Sequence, residues 1–555
     1  MPIYNEQKNV ILFMTGECYF DQCDVDALKH DGHTFDDTNA STLIHLYEKY
    51  SESFLDDLNG WFNGLLIDIR RGRAMIFNDR YGMRRIYYHE GKDAFYFASE
   101  AKALLRVLPE LRQADLRSIG EYIVFDCVLE GRTYFRDISL LPSGSAWTFE
   151  KGRICKRTYH DTASLENLPK IPSETFFEEF ASTFADILPR YFKGGPVSMS
   201  LTGGLDTRAI MACLTPTPGS IPCFTFGGEY KDIFDVRLAP KVAKECGQTH
   251  TVLRSHDVDF LKNYSDHAEA STWITDGVVP VDMADMLQFN KMARGISQIR
   301  MTGKYGSQVL KNVTAFKDRS PYPELIAPEF SSCLSTARET ARALAGLHSF
   351  SFLLSNEIPW WWNGMLSAES SQVEVRSPYL DNDLIKLLYR GPGPQLTAGA
   401  DLQLDLIRKY KPDLLRIPTT GTHGGTIPII SGIVKNMINA FIIADKLYIR
   451  ERLPYSLTHT VAKLDKAFIS PLCLDRIFFG YTDFRRYRQW FSNELAGYLS
   501  DILLSKKTLE RPYWNPEYIR KLLNAHIKGR GTYLREIRKV LQIELIHRVL
   551  IEKQY

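Results

Sequence analysis

Hydrophobic positions follow two different rhythms along the chain. From Val10 to about His160 they come as short strand-like runs: Val10–Met14, Leu65–Ile69, Ala74–Phe77, Ile86–His89 and Phe95–Ala98. Turn signals such as Arg71-Gly72 and Glu90-Gly91-Lys92 separate them. Helical patterns at Ala101–Leu108 and Leu116–Phe125 interrupt the series, and strands return at Ala146–Phe149 and Arg153–Thr158. The pattern predicts an α+β, sheet-rich domain over residues 1–168. Pro169 and Pro172 flank the start of a linker at Lys170–Glu174. Beyond it, Phe177, Phe180, Phe184 and Leu188 repeat at helical spacing and open a second domain over 173–555. There, strand patterns at Val197–Leu201, Cys223–Gly227 and Ile299–Met301 alternate with helices, one of them Val236–Cys246 ending at Gly247. Such alternation predicts an α/β doubly wound parallel sheet. The last hundred residues read as helical, with Leu534, Ile537, Leu541, Leu545 and Val549 on one face.

The chain is organised around Pro196–Leu214, PVSMSLTGGLDTRAIMACL. A strand feeds a helix through Thr202-Gly203-Gly204-Leu205-Asp206-Thr207. Backbone N–H groups at the positive end of a helix hold a phosphate, and glycines let the anion approach. The G-x-x-x-x-G-K-[ST] spacing and its lysine are absent from the turn. It carries an acid instead, and a carboxylate beside a phosphate calls for a bridging cation, usually Mg²⁺. The loop suggests Mg²⁺-bound nucleotide held by its pyrophosphate part; the plainer alternative is a tight strand–helix turn capped by Asp206. Ligands on doubly wound sheets sit at strand C-termini. The turns after Phe226-Gly227 and after Met301-Thr302-Gly303 fall at two more such ends.

Composition narrows the setting. With 555 residues, 44% hydrophobic and 24% charged, the chain suits two or three globular domains. A net charge of +2 gives no reason to expect nucleic acid or an anionic membrane as partner. The local cluster Phe484-Arg485-Arg486-Tyr487-Arg488 reads as a solvated helix face. Nine cysteines without paired spacing suggest reduced thiols in the cytoplasm, not a disulfide framework or a cysteine zinc site. No signal peptide or membrane-length apolar window is read.

The loop T-G-G-L-D-T resembles the S-G-G-x-D-S PP-loop of ATP pyrophosphatases, and its flanks resemble those of asparagine synthetases. Leu58-Asn59-Gly60-Trp61-Phe62, Asp79-Arg80-Tyr81-Gly82 and Phe97-Ala98-Ser99-Glu100-Ala101-Lys102-Ala103-Leu104 resemble stretches of that family's N-terminal half. That half is a class II glutaminase fold with an N-terminal cysteine nucleophile. Here the chain begins Met1-Pro2 and the likeness begins near Thr15-Gly16-Glu17, so the expectation is a glutaminase-like sandwich without glutaminase activity. The retained motifs are expected to hold this domain together and dock it on the second.

In the second half, Thr302-Gly303-Lys304-Tyr305-Gly306-Ser307-Gln308 resembles a phosphate-side motif carried as T-G-Y-G-S-D by beta-lactam synthetases. The resemblance implies amine deprotonation by Tyr305 with Glu357, from Asn356-Glu357-Ile358-Pro359. It implies Mg²⁺ at Asp206 and Gln308, where Gln308 replaces an aspartate. It implies ATP contacts at Leu201, Thr202, Gly203, Gly204, Asp206, Thr207, Phe226, Thr302 and Gly303. Of Trp360, Trp361 and Trp362, at least one is expected to meet substrate or the other domain. Gln372–Leu384 resembles E-x-R-x-P-F-L-D, with Arg376 and Asp381 as structural anchors. Thr419 stands where the family's R-P-K-x-G has its lysine, with Arg416 and His423 as nearby substitutes.

The expected function is an AMP-forming amide ligase. It would join a carboxylate to an amine on a small molecule or peptide without glutamine hydrolysis, as in beta-lactam synthetases or lasso-peptide cyclases of antibiotic biosynthesis. The other reading is a nucleotide-binding protein on the same scaffold that has lost catalysis.

Overall fold

Alternating apolar residues in the N-terminal third pair as antiparallel strands, as their period requires. The computed structural model describes residues 2–20, 22–35, 39–310, 317–344, 349–392, 401–419, 440–441, 445 and 480–553. The strands are β1 Ile3–Tyr4, β2 Val10–Tyr19, β3 Asn59–Asp68, β4 Arg73–Asn78, β5 Tyr87–Glu90, β6 Phe95–Ala98, β7 Ser139–Leu140, β8 Ser145–Glu150 and β9 Arg153–Thr158. They form a six-stranded sheet, β1-β2-β3-β4-β8-β9, and a three-stranded sheet, β6-β5-β7. One face of the larger sheet carries Leu12, Phe62, Leu66 and Phe77 against Leu43, Ile44 and Tyr47 of the helix Asn39–Tyr50. Its other face meets the small sheet through aromatic pairs, Tyr88 with Trp147 at 4.9 Å and Phe95 with Phe149 at 4.9 Å. The result is the expected sheet-rich sandwich with a helix laid outside it.

The helix Ser173–Ile187 follows the linker. Its buried stripe is Phe176, Phe180, Phe184 and Ile187, one residue away from the predicted register at its start; Phe177 is only partly buried. The 176–180–184 spacing of four stacks the three rings along one face, at 6.2 and 6.1 Å. Five parallel strands come next: β10 Val197–Ser200, β11 Cys223–Gly227, β12 His250–Arg254, β13 Ile299–Thr302 and β14 Glu374–Arg376. Their order is β12-β11-β10-β13-β14. The order in which strands are added reverses between β10 and β13, which leaves a crevice at their C-terminal ends.

The apolar interior ignores the linker. Tyr122, Tyr134 and Phe135 share one continuous core with Phe260, Trp514 and Leu541 from the far end of the chain. Trp61, Tyr81 and Met83 belong to the core that surrounds the parallel sheet. The C-terminal helix Leu534–Ile546 buries Leu534, Ile537, Leu541 and Leu545 as the pattern foretold. The basic cluster departs from expectation. Tyr487 and Arg488 are buried, Arg485 donates to Asp285 at 2.7 Å, and Arg486 lies over the Tyr230 ring. Charge density alone did not reveal that these guanidiniums have partners in the second domain.

The motifs shared by the two halves are docking devices. Arg376 forks onto Glu17 with bonds of 2.7 and 2.6 Å and also donates to the Tyr191 and Lys193 carbonyls. Asp381 accepts from Asn59 at 2.9 Å and from the Tyr191 hydroxyl at 2.8 Å. Arg85 donates to the Pro359 and Trp360 carbonyls, and the Trp360 ring stands edge-on to Tyr134. Thus one of the three tryptophans does meet the N-terminal half.

Candidate functional site

The crevice between β10 and β13 is built from two interlocked turns. Ser200 and Thr302 sit side by side in register, so the segments that follow them leave the sheet together. The β10 turn enters the helix Leu205–Cys213, whose N-cap is Gly204. The β13 turn enters the short helix Gly306–Leu310. Gly303 and Gly306 permit the fit. A Cβ on Gly303 would lie 2.8 Å from the Thr207 nitrogen, and one on Gly306 would lie 2.7 Å from Asp206 Oδ1.

Asp206 stands at the junction. Its carboxylate accepts from Ser307 Oγ at 3.0 Å and from the Gln403 amide, and its backbone carbonyl accepts from the Tyr379 hydroxyl at 2.7 Å. The loop amides are engaged here and not free as expected. Gly203 N–H donates to Asp235 Oδ1 at 2.8 Å, and Gly204 N–H donates to Thr202 Oγ1 at 3.2 Å. Thr202 N–H in turn reaches Thr207 Oγ1 at 3.3 Å. The Asp235 carboxylate shows that the Gly203 N–H can donate to an anionic oxygen. Asp206, Asp235, Ser307 and Thr202 are an oxygen-only set, the chemistry that suits Mg²⁺.

The other candidate residues divide. Leu201 is fully buried, and Phe224 and Thr225 take up its N–H and carbonyl. Phe226 packs on Phe289 at 4.8 Å and under Arg300. Thr302 is buried and accepts from Lys304 N–H. Gln308 is half-buried and makes no hydrogen bond among the described residues, so the amide on Asp206 is that of Gln403.

Tyr305 and Glu357 do not form the expected pair. Tyr305 takes a left-handed backbone, φ 70°, and buries its ring edge-on to Trp61 at 5.5 Å and Trp362 at 5.7 Å. Among the described residues its hydroxyl has no hydrogen-bond partner, and burial raises the phenol pKa well above its ordinary value. The carboxylates that act on it are Glu369 and Asp79. Glu357 lies in a π-helical stretch, Leu353–Trp362; burial raises its pKa and Arg319 opposes the rise. The Tyr305 ring thus touches Trp61 of the N-terminal half as well as Trp362 of its own.

Behind the second turn, buried Glu369 joins Lys304 and Arg300, the latter at 3.1 Å. Burial alone would raise the Glu369 carboxyl, but Lys304 and Arg300 outweigh it and hold it below its usual range. Arg208 lies fully buried and donates to the carbonyls of Gly203, Leu414, Ile417 and Pro418. It thereby fastens the segment bearing Thr419 beside the loop. Thr419 Oγ1 is buried, with no hydrogen-bond partner among the described residues. Arg416 points outward and pairs with Asp413 at 3.2 Å, and His423 lies outside the described residues.

A family model of a glutamine amidotransferase domain matches residues 1–160. The glutamine-hydrolyzing asparagine synthetase 1 of Bacillus subtilis is 21% identical over 100% of this chain and 88% of its own length. The glutamine-hydrolyzing asparagine synthetase 2 of Oryza sativa subsp. japonica is 24% identical over 70% of this chain and 58% of its own length. The glutamine-hydrolyzing asparagine synthetase 1 of Lotus japonicus is 22% identical over 70% of this chain and 59% of its own length. The match therefore spans less than two thirds of these plant relatives. A solved B. subtilis glutamine phosphoribosylpyrophosphate amidotransferase complexed with ADP and GMP aligns at 12% identity over 36% of this chain and 42% of that chain. Its TM-score of 0.21 is too low to support an argument about fold. Among the described residues, no helix is long and apolar enough to cross a membrane.

Proposed function

We propose that this chain, a member of the asparagine synthetase-like family, is a carbon–nitrogen ligase that cleaves ATP to AMP and pyrophosphate. A substrate carboxylate oxygen attacks the α-phosphorus and pyrophosphate leaves. An amine nitrogen then attacks the acyl carbon, AMP leaves, and the amine's proton is lost. One observation carries this reading: Asp206 and the Gly203 amide lie where the β10 and β13 turns interlock, at the reversal of strand order. Gly203 and Gly204 N–H would hold phosphate oxygens once Asp235 and Thr202 release them. Asp206 and Asp235 would hold Mg²⁺, whose charge offsets the repulsion between carboxylate and phosphate.

The amine is proposed to come from solution or from the substrate, as in intramolecular ligases of the beta-lactam synthetase kind. Burial raises the pKa of Cys18 and Cys127 well above the ordinary thiol value, so neither is an activated nucleophile. A second reading, nucleotide binding without turnover, is favoured by the Tyr305 hydroxyl, which has no partner among the described residues, and by Thr419 at the lysine position.

The test is AMP and pyrophosphate release from ATP with a panel of carboxylic acids and amines, ammonium included. We expect stoichiometric AMP and pyrophosphate with one pair, no advantage of glutamine over ammonium, and a loss of about 100-fold or more in Asp206→Ala. Nucleotide binding with no release under any pair would establish the second reading. Equal release by Asp206→Ala would remove the proposed site.

A further inference from the structure

We propose that Glu6, His33, His45 and Glu48 form a closed site for one divalent transition-metal ion of the Zn²⁺ type, a structural staple of the N-terminal sheet. Their ligand atoms all lie within 4.8 Å of one another. His45 Nδ1 is 3.1 Å from Glu48 Oε2 and 3.7 Å from Glu6 Oε2, and His33 Nδ1 is 3.6 Å from Glu6 Oε1. The two longer separations exceed hydrogen-bond length. They suit ligands of a shared ion, because tetrahedral bonds of about 2.0–2.1 Å set the ligand atoms roughly 3.3–3.4 Å apart. A network of ordinary imidazole–carboxylate hydrogen bonds would have closed all three gaps, and only the His45–Glu48 gap is closed.

The surroundings orient the ligands. Asn5 Nδ2 donates to Glu48 Oε1 at 2.7 Å and Arg70 donates to the same oxygen at 3.1 Å, which turns Oε2 toward His45. Thr34 N–H steadies Glu6 with a bond of 3.1 Å to Oε1. Partners of this kind outside the ligand sphere accompany metal sites. Charge also calls for a cation. Two carboxylates converge here, and Arg70 is claimed by Asp68 through two further bonds at 3.1 and 3.2 Å. His45 is 2% exposed, and its ring lies 4.6 Å from that of His33 at a tilt of 42°.

The site joins three segments. Glu6 lies in the turn between β1 and β2, His33 follows the helix Gln22–His30, and His45 and Glu48 share a face of the helix Asn39–Tyr50 at i, i+3. All four positions are filled by protein, which marks a structural and not a catalytic ion. The site shares no residue with the Asp206 crevice.

The test uses the full chain, dialysed against Zn²⁺ without nucleotide, with metal content measured by plasma mass spectrometry and unfolding followed with and without chelator. We expect about one zinc per chain and a chelator-induced fall in Tm. His33→Ala and Glu6→Gln, at partly exposed side chains, should each weaken zinc binding about tenfold or more and abolish the chelator effect. Asp206→Ala should keep its zinc. A wild-type chain that retains no zinc, or variants that bind it as tightly as wild type, would overturn the assignment.

Discussion

Arg208 shows how much a single side chain holds at this site. Burial lowers its pKa to about 10, and among the described residues no carboxylate partners it; its donors go to four backbone carbonyls. A planar guanidinium can serve them together, while an ammonium cannot. We therefore expect Arg208→Lys to lose about 1–3 kcal/mol by urea unfolding, and to raise KM for ATP as the Gly203 carbonyl is released. Gly306→Ala should act differently, with cooperative unfolding kept. Its Cβ, 2.7 Å from Asp206 Oδ1 and 2.9 Å from the Tyr379 ring, would push the carboxylate aside, and AMP release should fall by about 100-fold. The glycines were legible in the sequence as turn residues. Gln403, Asp235 and the Leu414, Ile417 and Pro418 carbonyls that Arg208 reaches were not, because each lies 32 to 210 positions from the group it touches.

Among the elements, the C-terminal helices carry the clearest response to pH. Tyr533 N–H donates to His526 Nδ1 at 3.1 Å, so that nitrogen must be unprotonated. Burial, with Arg488 nearby, lowers His526 to about 3, and burial lowers His547 to about 4. Both histidines are neutral in the folded state, while in the unfolded chain they protonate near 6.5. The unfolded state therefore binds more protons between these limits. Stability is fully present above pH 6.5 and is lost as pH falls toward 4, by up to about 1.4 kcal/mol per pH unit for each ring. Urea unfolding at a series of pH values checks this, and His526→Gln should flatten the decline. The Asn515 cap before Pro516 is seen in the structure, while the helix Leu534–Ile546 was readable from apolar spacing. That a histidine would face inward between them was not, since its burial depends on what packs above.

At the scale of the whole molecule, the two halves share an apolar core. Residues between Tyr87 and Leu140 share a core with residues between Phe260 and Leu550, across the linker that composition marks as a boundary. We expect 1–168 and 173–555, expressed separately, to fail to fold, and the intact chain to show a single thermal transition by calorimetry. Glu17→Ala should cost about 3 kcal/mol, because Arg376 keeps its buried charge and loses its fork. A double-mutant cycle with Arg376→Met would separate the pair's coupling from that desolvation.

The sequence by itself determined what depends on near neighbours. Alternation set the antiparallel strands of the N-terminal half, and helical spacing set the C-terminal helices. The glycine pair between apolar strand and helix marked the β10 turn, since backbone conformation there answers to turn chemistry within a few residues. Tertiary structure alone decided which distant groups meet. It turned Tyr305 toward Trp61 and Trp362, placed Gln403 on Asp206, and merged the two halves into shared cores. Periodicity tells which face of an element seeks burial, but the partner across that face is chosen by strand order and packing over hundreds of residues.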